Sequence, residues 1–503
     1  MKKNYSAKMV LQASLLFFII ITTNVFAQVG IGTITPHASS VLDVSSTTQG
    51  MLTPRMTTVQ RTEIGSPADG LIVYDTDLKS FYHYNSTLTS WNKMSSEANG
   101  RLKFKIIKST DVLATVLATE LAAGDGSKYL LDAGTLYEIN GSVTVNLPIE
   151  LNNAYLIGMD AGEDKLIKVS GDLFTGTTGG SIKVLTLTAT SGNVFNVIGT
   201  GSIALGTQTQ SLVLRDCIVA SSSNVGKIEN FVLAFVSIVQ YVGNTTGIIY
   251  KDISKVLLSN AAWFGNNSGT YEAFQGTFGL VEKTGGFSQV SGVSVGLDIS
   301  SNPTITGDAV VESVVFTGTL TTGKYVKGYT VGSYIGYNFN DFWSVRSTGI
   351  PNEGDSFATG NLYLNRTVTS PTLTFPTATT AYKIPGTTVS TNLYRVNGET
   401  NNRLAYLGRK SRTFAVSASI SFEAAGSGVS DYLFFFVKYS TSGQPSIITS
   451  SETYIDSNSG FMQSFPVTGT VQLNSGDYIE LHAARLTGAD KTLTFRSYNM
   501  SMK

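Results

Sequence analysis

Hydrolysis of a polysaccharide by paired acids needs two carboxylates roughly 5 to 9.5 Å apart, so the acidic residues are where chemistry would first show. The chain has no Asp-Asp dipeptide, and Glu163-Asp164 falls in the turn-like Ala161-Gly162-Glu163-Asp164-Lys165. Asp216 and Glu229 can lie on neighbouring turns of a coiled chain, although Asp216 is as well suited to a corner hydrogen bond. Asp75 and Asp77 sit between two β-like runs, where such pairs form turns more often than cation sites. The single cysteine, Cys217, excludes an intrachain disulfide and a Cys-cluster metal site; it reads as a small buried hydrophobe. His37, His83 and His482 are too scattered to suggest a site together. No catalytic residue, metal or cofactor follows from these groups.

Binding has a stronger candidate. Residues 325–343, YVKGYTVGSYIGYNFNDFW, carry seven aromatics with Asn338, Asn340 and Asp341 among them. Flat rings stack on sugar faces while amides and carboxylates take the hydroxyls, which nominates Tyr329, Tyr334, Tyr337, Asn340 and Trp343 as ligand-binding residues. The competing use of the same stretch sends Tyr329, Val331, Ile335, Tyr337 and Phe339 alternately into a core or a subunit contact.

The elements that must hold such a site are written in the composition. Only 14% of the 503 residues are charged, 35 basic against 35 acidic, and 50 are glycine. The charged share is far below the roughly 25% of ordinary globular chains, so the solvated surface is built from Thr, Ser, Asn and Gly. Zero net charge excludes a nucleic-acid binder driven by bulk positive charge. At the start, Lys2, Lys3 and Lys8 precede an apolar run of about 15 residues from Met9 to Thr23, and Val25-Phe26-Ala27 precedes Gln28. That is the pattern of a secretory signal peptide over residues 1–27, and the run is short of the ~20 residues a membrane span needs. A secreted or cell-surface protein is expected, with no membrane span once the signal is removed.

Over residues 28–100, short strand candidates at Leu71–Tyr74, Ser80–Tyr84 and Ser90–Lys93 are separated by turn residues, as in a small antiparallel meander. The string VGIGT…SSVLDV…GMLTPRMTTVQR…GLIVYDTD…FYHYN…W resembles the N-terminal segment of exported surface and fibre proteins of Bacteroidetes-type bacteria and their phages. Those proteins are cell-wall-anchor-like or tail-fibre-like, so the resemblance implies a fibre and no chemistry.

Residues 109–124, STDVLATVLATELAAG, form the one convincing helix: Ser109, Thr110 or Asp111 can cap it, Val112, Val116, Leu117 and Leu121 share a face, and Gly124 can close it. The following two hundred residues are β-branched runs broken by Gly, Asn, Ser and Thr. Leu212–Ile218 lies over Val256–Ala262 at an offset of 44 and over Val232–Ile238 at an offset of 20. A period of about 20 to 22 suits one rung of a parallel β-helix, with the helix plugging its open end. Residues 101–350 are therefore read as a right-handed parallel β-helix shaft with a capping helix; an irregular antiparallel sandwich is the alternative.

Pro351, Pro371, Pro376 and Pro385 then mark residues 351–392 as a linker or neck. From Leu393 to Lys503 longer alternating strands, Thr413–Phe422, Tyr432–Tyr439, Phe461–Leu473, Tyr478–Ala484 and Thr492–Met500, point to a jelly-roll sandwich. The pieces NNRLAYLGRKSRTFAVSASISFEA, DYLFFFVKYS, GTVQLNSGDYIELHAARL and LTFRSYNMSMK resemble the complement-globular-head and tumour-necrosis-factor-like head domains. That resemblance implies a homotrimer, with Tyr432, Phe434 and Phe436 at the contact between subunits.

Together these readings describe an all-β, exported, homotrimeric fibre without enzymatic activity or cofactor. Its partners are copies of itself and a cell-surface glycan or receptor, and its role is adhesion or recognition. Two rival readings stay open: a phage tail or head fibre that binds a receptor, and a tailspike-like polysaccharide lyase or hydrolase.

Overall fold

A chain in which β-branched runs are punctuated by Gly, Asn and Ser builds strands and tight corners rather than helices. The structure, a computed structural model, describes residues 9–14, 28–94, 103–354, 356–426, 428–458, 460–489 and 492–503, and it is all-β. Two units compose it, Met1–Arg101 and Leu102–Lys503.

In the first unit residues 9–14 are helical, and among the described residues no helix is long and apolar enough to cross a membrane. The cleavage point expected after Ala27 lies outside the described residues. Strands Ile72–Asp75, Ser80–Asn85 and Ser90–Lys93 pair as an antiparallel meander, joined in parallel by Arg55–Met56. A short helix at Thr58–Thr62 opens on a capping box between Thr57 and Gln60. Asp75 holds this corner together: it accepts from the Asp77 and Leu78 N–H groups, the Thr58 hydroxyl and, at 2.9 Å, Arg61 Nε. Burial alone raises its pKa, but those donors outweigh it and hold the carboxyl at about 2.

The second unit begins with the shaft. Every strand from Phe104–Lys108 to Trp343–Thr348 pairs in parallel with the rung above or below, which is a parallel β-helix. Ser211 pairs with Leu233 and Leu233 with Lys255, so a rung here takes 22 residues and the offset of 44 spans two rungs. The offset of 20 is two residues short, because Leu212 lies on Ala234 and not on Val232. A slip of two keeps every side chain on its own face, so the apolar pattern cannot detect it. The rung from Gly180 to Leu212 is longer because a loop over residues 199–210 bulges from it.

Three inward columns fill the lumen. One runs Tyr137, Leu156, Ile182, Leu214, Val236, Leu258, Lys283, Val311, Val345. A second runs Ile149, Phe174, Phe195, Gly226, Ile248, Glu272, Leu297, Val326. The third runs Leu187, Val219, Tyr241, Trp263, Ser288, Phe316. Lys283 and Glu272, each almost wholly buried, break the first two columns and pair at 2.9 Å. At one corner, Val184, Asp216, Ile238, Asn260, Gly285 and Ser313 all adopt φ between 50° and 64°, a stacked left-handed turn. A second corner is held by a buried amide ladder: Asn244 Oδ1 accepts from Ser222 N, and Asn267 Oδ1 accepts from Asn244 N and Nδ2.

The capping helix differs from expectation. It is two short helices, Leu113–Val116 and Ala118–Ala123, broken at Leu117. Val112 is its exposed N-cap and Asp111 instead accepts from Lys108 N. Leu113 and Leu117 enter the core with Val116 and Leu121 packed against it, while Val112 precedes the first helical residue and stays exposed. Glu120 accepts from Lys105 Nζ at 2.7 Å and from the Tyr137 hydroxyl, which closes the end.

Beyond the shaft two antiparallel sheets form a jelly-roll sandwich. One has the order Thr388–Tyr394, Thr359–Leu364, Thr492–Met502, Arg412–Ala425, Met462–Leu473; the other runs Val396–Asn397, Leu404–Tyr406, Tyr478–Arg485, Val429–Tyr439 and then Pro445–Ile447, with Thr453–Asn458 also on Val429–Tyr439. Pairing of the first long strand with the last, Gly360 on Met502, makes residues 359–392 of the expected 351–392 neck part of this sandwich, while Glu353 stays with the shaft, its backbone paired to Val345. Pro371, Pro376 and Pro385 fall between its strands, where no ladder N–H is lost. A second correction concerns the aromatic strand. Tyr432, Phe434 and Phe436 point between the sheets and are fully buried within one chain, so they are not available to another copy; Leu433, Phe435 and Val437 take the opposite face.

Candidate functional site

Outward faces of the shaft rungs bring together residues far apart in sequence. Register places Asn196, Lys227, Ile249, Ala273, Asp298 and Lys327 in one outward column, beside Asn193, Asn224 and Thr246 in a second. Five rung steps of about 4.8 Å make this strip about 24 Å long. A groove of about 670 Å³ follows it, walled by Asn193, Asn196, Asn224, Lys227, Thr246, Thr270, Gln275 and Asp298. Its floor is glycine at Gly226 and Gly247. A Cβ at the first would strike the Phe195 carbonyl, and at the second the Tyr271 carbonyl, so no larger residue lets the rungs stack this closely.

The polar wall is held in place by its own contacts. Asn193 Nδ2 and Asn196 Nδ2 donate to the two oxygens of Asp172 at 2.7 Å, and the Thr246 hydroxyl donates to Asn224 Oδ1. Glu229 is clamped between Lys227 at 2.7 Å and Lys251 at 2.9 Å, and Asp298 meets Lys327 at 3.1 Å. Burial raises the pKa of all three carboxyls. For Asp172 the asparagine amides outweigh it, for Glu229 the two lysines, and for Asp298 Ser300 with Lys327, so all three end below their ordinary values. At neutral pH the groove thus combines amides, hydroxyls and compensated charges with an apolar patch of Ile249 and Ala273, a surface that exchanges hydrogen bonds with hydroxyl groups and packs against C–H faces.

The residues nominated from sequence are only partly brought together. Tyr329 and Trp343 are buried in the end of the shaft, where Trp343 Nε1 donates to the Tyr329 hydroxyl at 3.0 Å; neither can stack on a ligand. Asn340 forms a turn, its side chain accepting from Phe342 N. Tyr337 stacks on Tyr394 at 4.2 Å and Tyr334 meets the same ring edge-on at 5.3 Å, so both serve the joint between shaft and sandwich. Buried Arg395 locks that joint, its Nη2 donating to the Trp343 carbonyl at 2.7 Å. Of the five, Tyr334 lines a cavity of about 530 Å³ with Ile335, Ser390, Asn397 and Glu399.

The candidate carboxylates separate as well. Asp216 occupies the left-handed corner and lies 3.8 Å from Arg215, whereas Glu229 lies on the next strand, Asn224–Glu229, held by Lys227 and Lys251. Buried Cys217 donates to the Arg215 carbonyl at 3.0 Å, and burial pushes its thiol up to about 12. Among the described residues no cluster of three or more His, Cys, Asp or Glu could hold a metal. Sequence reading missed the groove, because Asn224–Lys227 lies over Thr246–Ile249 with no residue type repeated in register, so no sequence repeat marks it.

Residues 30–110 match the family model described as a phage tail like trimerisation region. No curated protein matches the sequence. Among solved structures, the chain is similar to the enzymatically active domain of tailspike protein 4 of bacteriophage CBA120, at 8% identity and a TM-score of 0.24, over 90% of this chain and 77% of that one. It is similar also to Pantoea stewartii WceF, described as a glycan biofilm modifying enzyme with a bacteriophage tailspike-like parallel β-helix fold, at 10% identity and a TM-score of 0.24, over 86% of this chain and 65% of that one. Murine APRIL matches at 9% identity and a TM-score of 0.21, over 29% of this chain and 98% of that one. With an enzymatically active domain and a glycan-modifying enzyme among these neighbours, the sequence expectation of a chain without enzymatic activity is withdrawn.

Proposed function

We propose that this phage-tail-like fibre binds an extended cell-surface polysaccharide along the groove of its shaft. The groove itself carries the reading: a strip about 24 Å long, floored by glycine and walled by amides, hydroxyls, the paired charges of Lys227 and Asp298 and a patch of Ile249 and Ala273, fits a polyhydroxylated chain with C–H faces better than a wholly apolar or highly charged ligand. The match to a trimerisation region supports self-association, which multiplies weak contacts into avidity. The apolar start belongs to this reading as an export signal removed before Gln28.

A panel of bacterial surface polysaccharides tests it, with binding to the full chain measured by calorimetry and the same mixtures assayed for new reducing or unsaturated ends. Asn196→Trp, which fills the groove from an outward position, is expected to weaken binding at least tenfold while costing only its hydrogen bond to Asp172 in stability, about 1 kcal/mol. Equal binding by the variant, or no binding to any polymer, refutes the groove. A second reading places a terminal sugar in the 530 Å³ cavity at the joint, where Tyr334 and Ile335 face Ser390, Asn397 and Glu399; Tyr334→Ala then lowers binding and Asn196→Trp does not.

A further inference from the structure

The N-terminal segment 28–52 is built in detail and yet hides nothing. Val29–Ile31 and Leu42–Val44 pair in parallel, Val29 on Leu42 and Ile31 on Val44, so four aliphatic side chains share one face while Gly30 and Asp43 share the other. The second face is closed by the chain's own loop: a Cβ on Gly30 would lie 2.6 Å from the Thr33 carbonyl and 2.9 Å from Pro36. The hydrogen bonds are internal too, with Val29 N donating to Val41 O, Ser45 N to Ile31 O, and His37 N to the Asp43 carboxylate. The aliphatic face has no such cover. Val29, Ile31, Leu42 and Val44 are 43 to 56% exposed, Ile34, Val41 and Leu52 more so, and no residue of the segment is buried. An isolated two-stranded parallel pair does not hold itself together in water, and an apolar face this dense marks an interface.

We propose that this face is the seam of the trimer: Val29, Ile31, Leu42 and Val44 of three copies pack around a common axis as one core that a single chain lacks. The inference rests on the fibre reading in that copies associate. What identifies the occupant is that all but residues 28 and 29 of the segment fall inside the matched trimerisation region. Asp43 is the segment's sole formal charge; it lies on the opposite face and is engaged by His37 N, so three copies meet without repulsion. The seam also replaces the contact expected at Tyr432, Phe434 and Phe436.

Light scattering on the full chain tests the seam. The wild type is expected at three times the chain mass, and Ile31→Asp/Leu42→Asp at one chain mass at micromolar concentration, with unchanged β-sheet circular dichroism. A variant that remains trimeric overturns the seam and leaves the fibre reading standing; a monomeric wild type overturns both. Ile31→Cys decides the matter even if the double variant aggregates, because Cys217 is buried. Mild oxidation is expected to link chains through position 31, and failure to link them overturns the proposal, as does linkage to a different protein.

Discussion

Removing Lys283 from the middle of the shaft tests how the fold tolerates charge in its lumen. Its ammonium lies 2.9 and 3.1 Å from the two oxygens of Glu272, and both side chains are at most 3% exposed. At an effective dielectric of 20 and 3 Å the attraction is about 5 to 6 kcal/mol, and desolvation of two ions costs several kcal/mol each. The pair therefore comes close to cancelling against an apolar isostere, while one partner alone does not. Lys283→Met leaves the Glu272 carboxylate uncompensated and is expected to cost about 3 to 5 kcal/mol. The double variant Lys283→Met/Glu272→Leu is expected to recover all but about 1 kcal/mol of that, since both columns are then free of charge. Chemical denaturation followed by tryptophan fluorescence reads both, because Trp263 and Tyr271 stack beside the pair at 4.7 Å and Lys283 Nζ lies 5.0 Å from the Tyr271 ring centre. A single variant losing under 1 kcal/mol, or a double variant as unstable as the single, refutes this account.

Asn244→Ala removes the middle amide of the corner ladder and strips its side-chain partners from Ser222 N and the Val219 carbonyl, while Asn267 Oδ1 keeps its bond from Asn244 N; a loss of about 3 kcal/mol is expected in chemical denaturation. Glu480 is buried, which raises its pKa, but His482, Lys383 and Arg403 outweigh that and hold it at about 2. Its folded value lies below its unfolded one, so its contribution is complete above pH 4.5 and lost as pH falls towards 2; Glu480→Gln is expected to flatten the acid limb of a stability–pH curve. Phe434→Ala opens a cavity in the sandwich core and is expected to cost about 3 to 5 kcal/mol, seen as unfolding in denaturant and not as a change of oligomeric mass at native conditions.

Local alternation and turn chemistry are properties of neighbouring residues, and they were legible in the sequence. The strand Ser90–Lys93 falls as its pattern dictates, and the long strands of the sandwich end within three residues of their expected limits. So were the all-β class and the two-rung offset of 44, because stacked rungs repeat their inward apolar positions. Tertiary structure decided everything that depends on which residues meet. A two-residue slip preserves parity, so only the corners fixed Leu212 on Ala234. Alternation separates Tyr432, Phe434 and Phe436 from Leu433, Phe435 and Val437, but which set faces the core depends on where the second sheet lies. Proline marks where ladders break, and the fold used those breaks between strands of the sandwich, not as a neck. The groove is the extreme case: its wall draws on residues from Asn193 to Asp298, each unremarkable alone, and stacking of successive rungs brings them to one face.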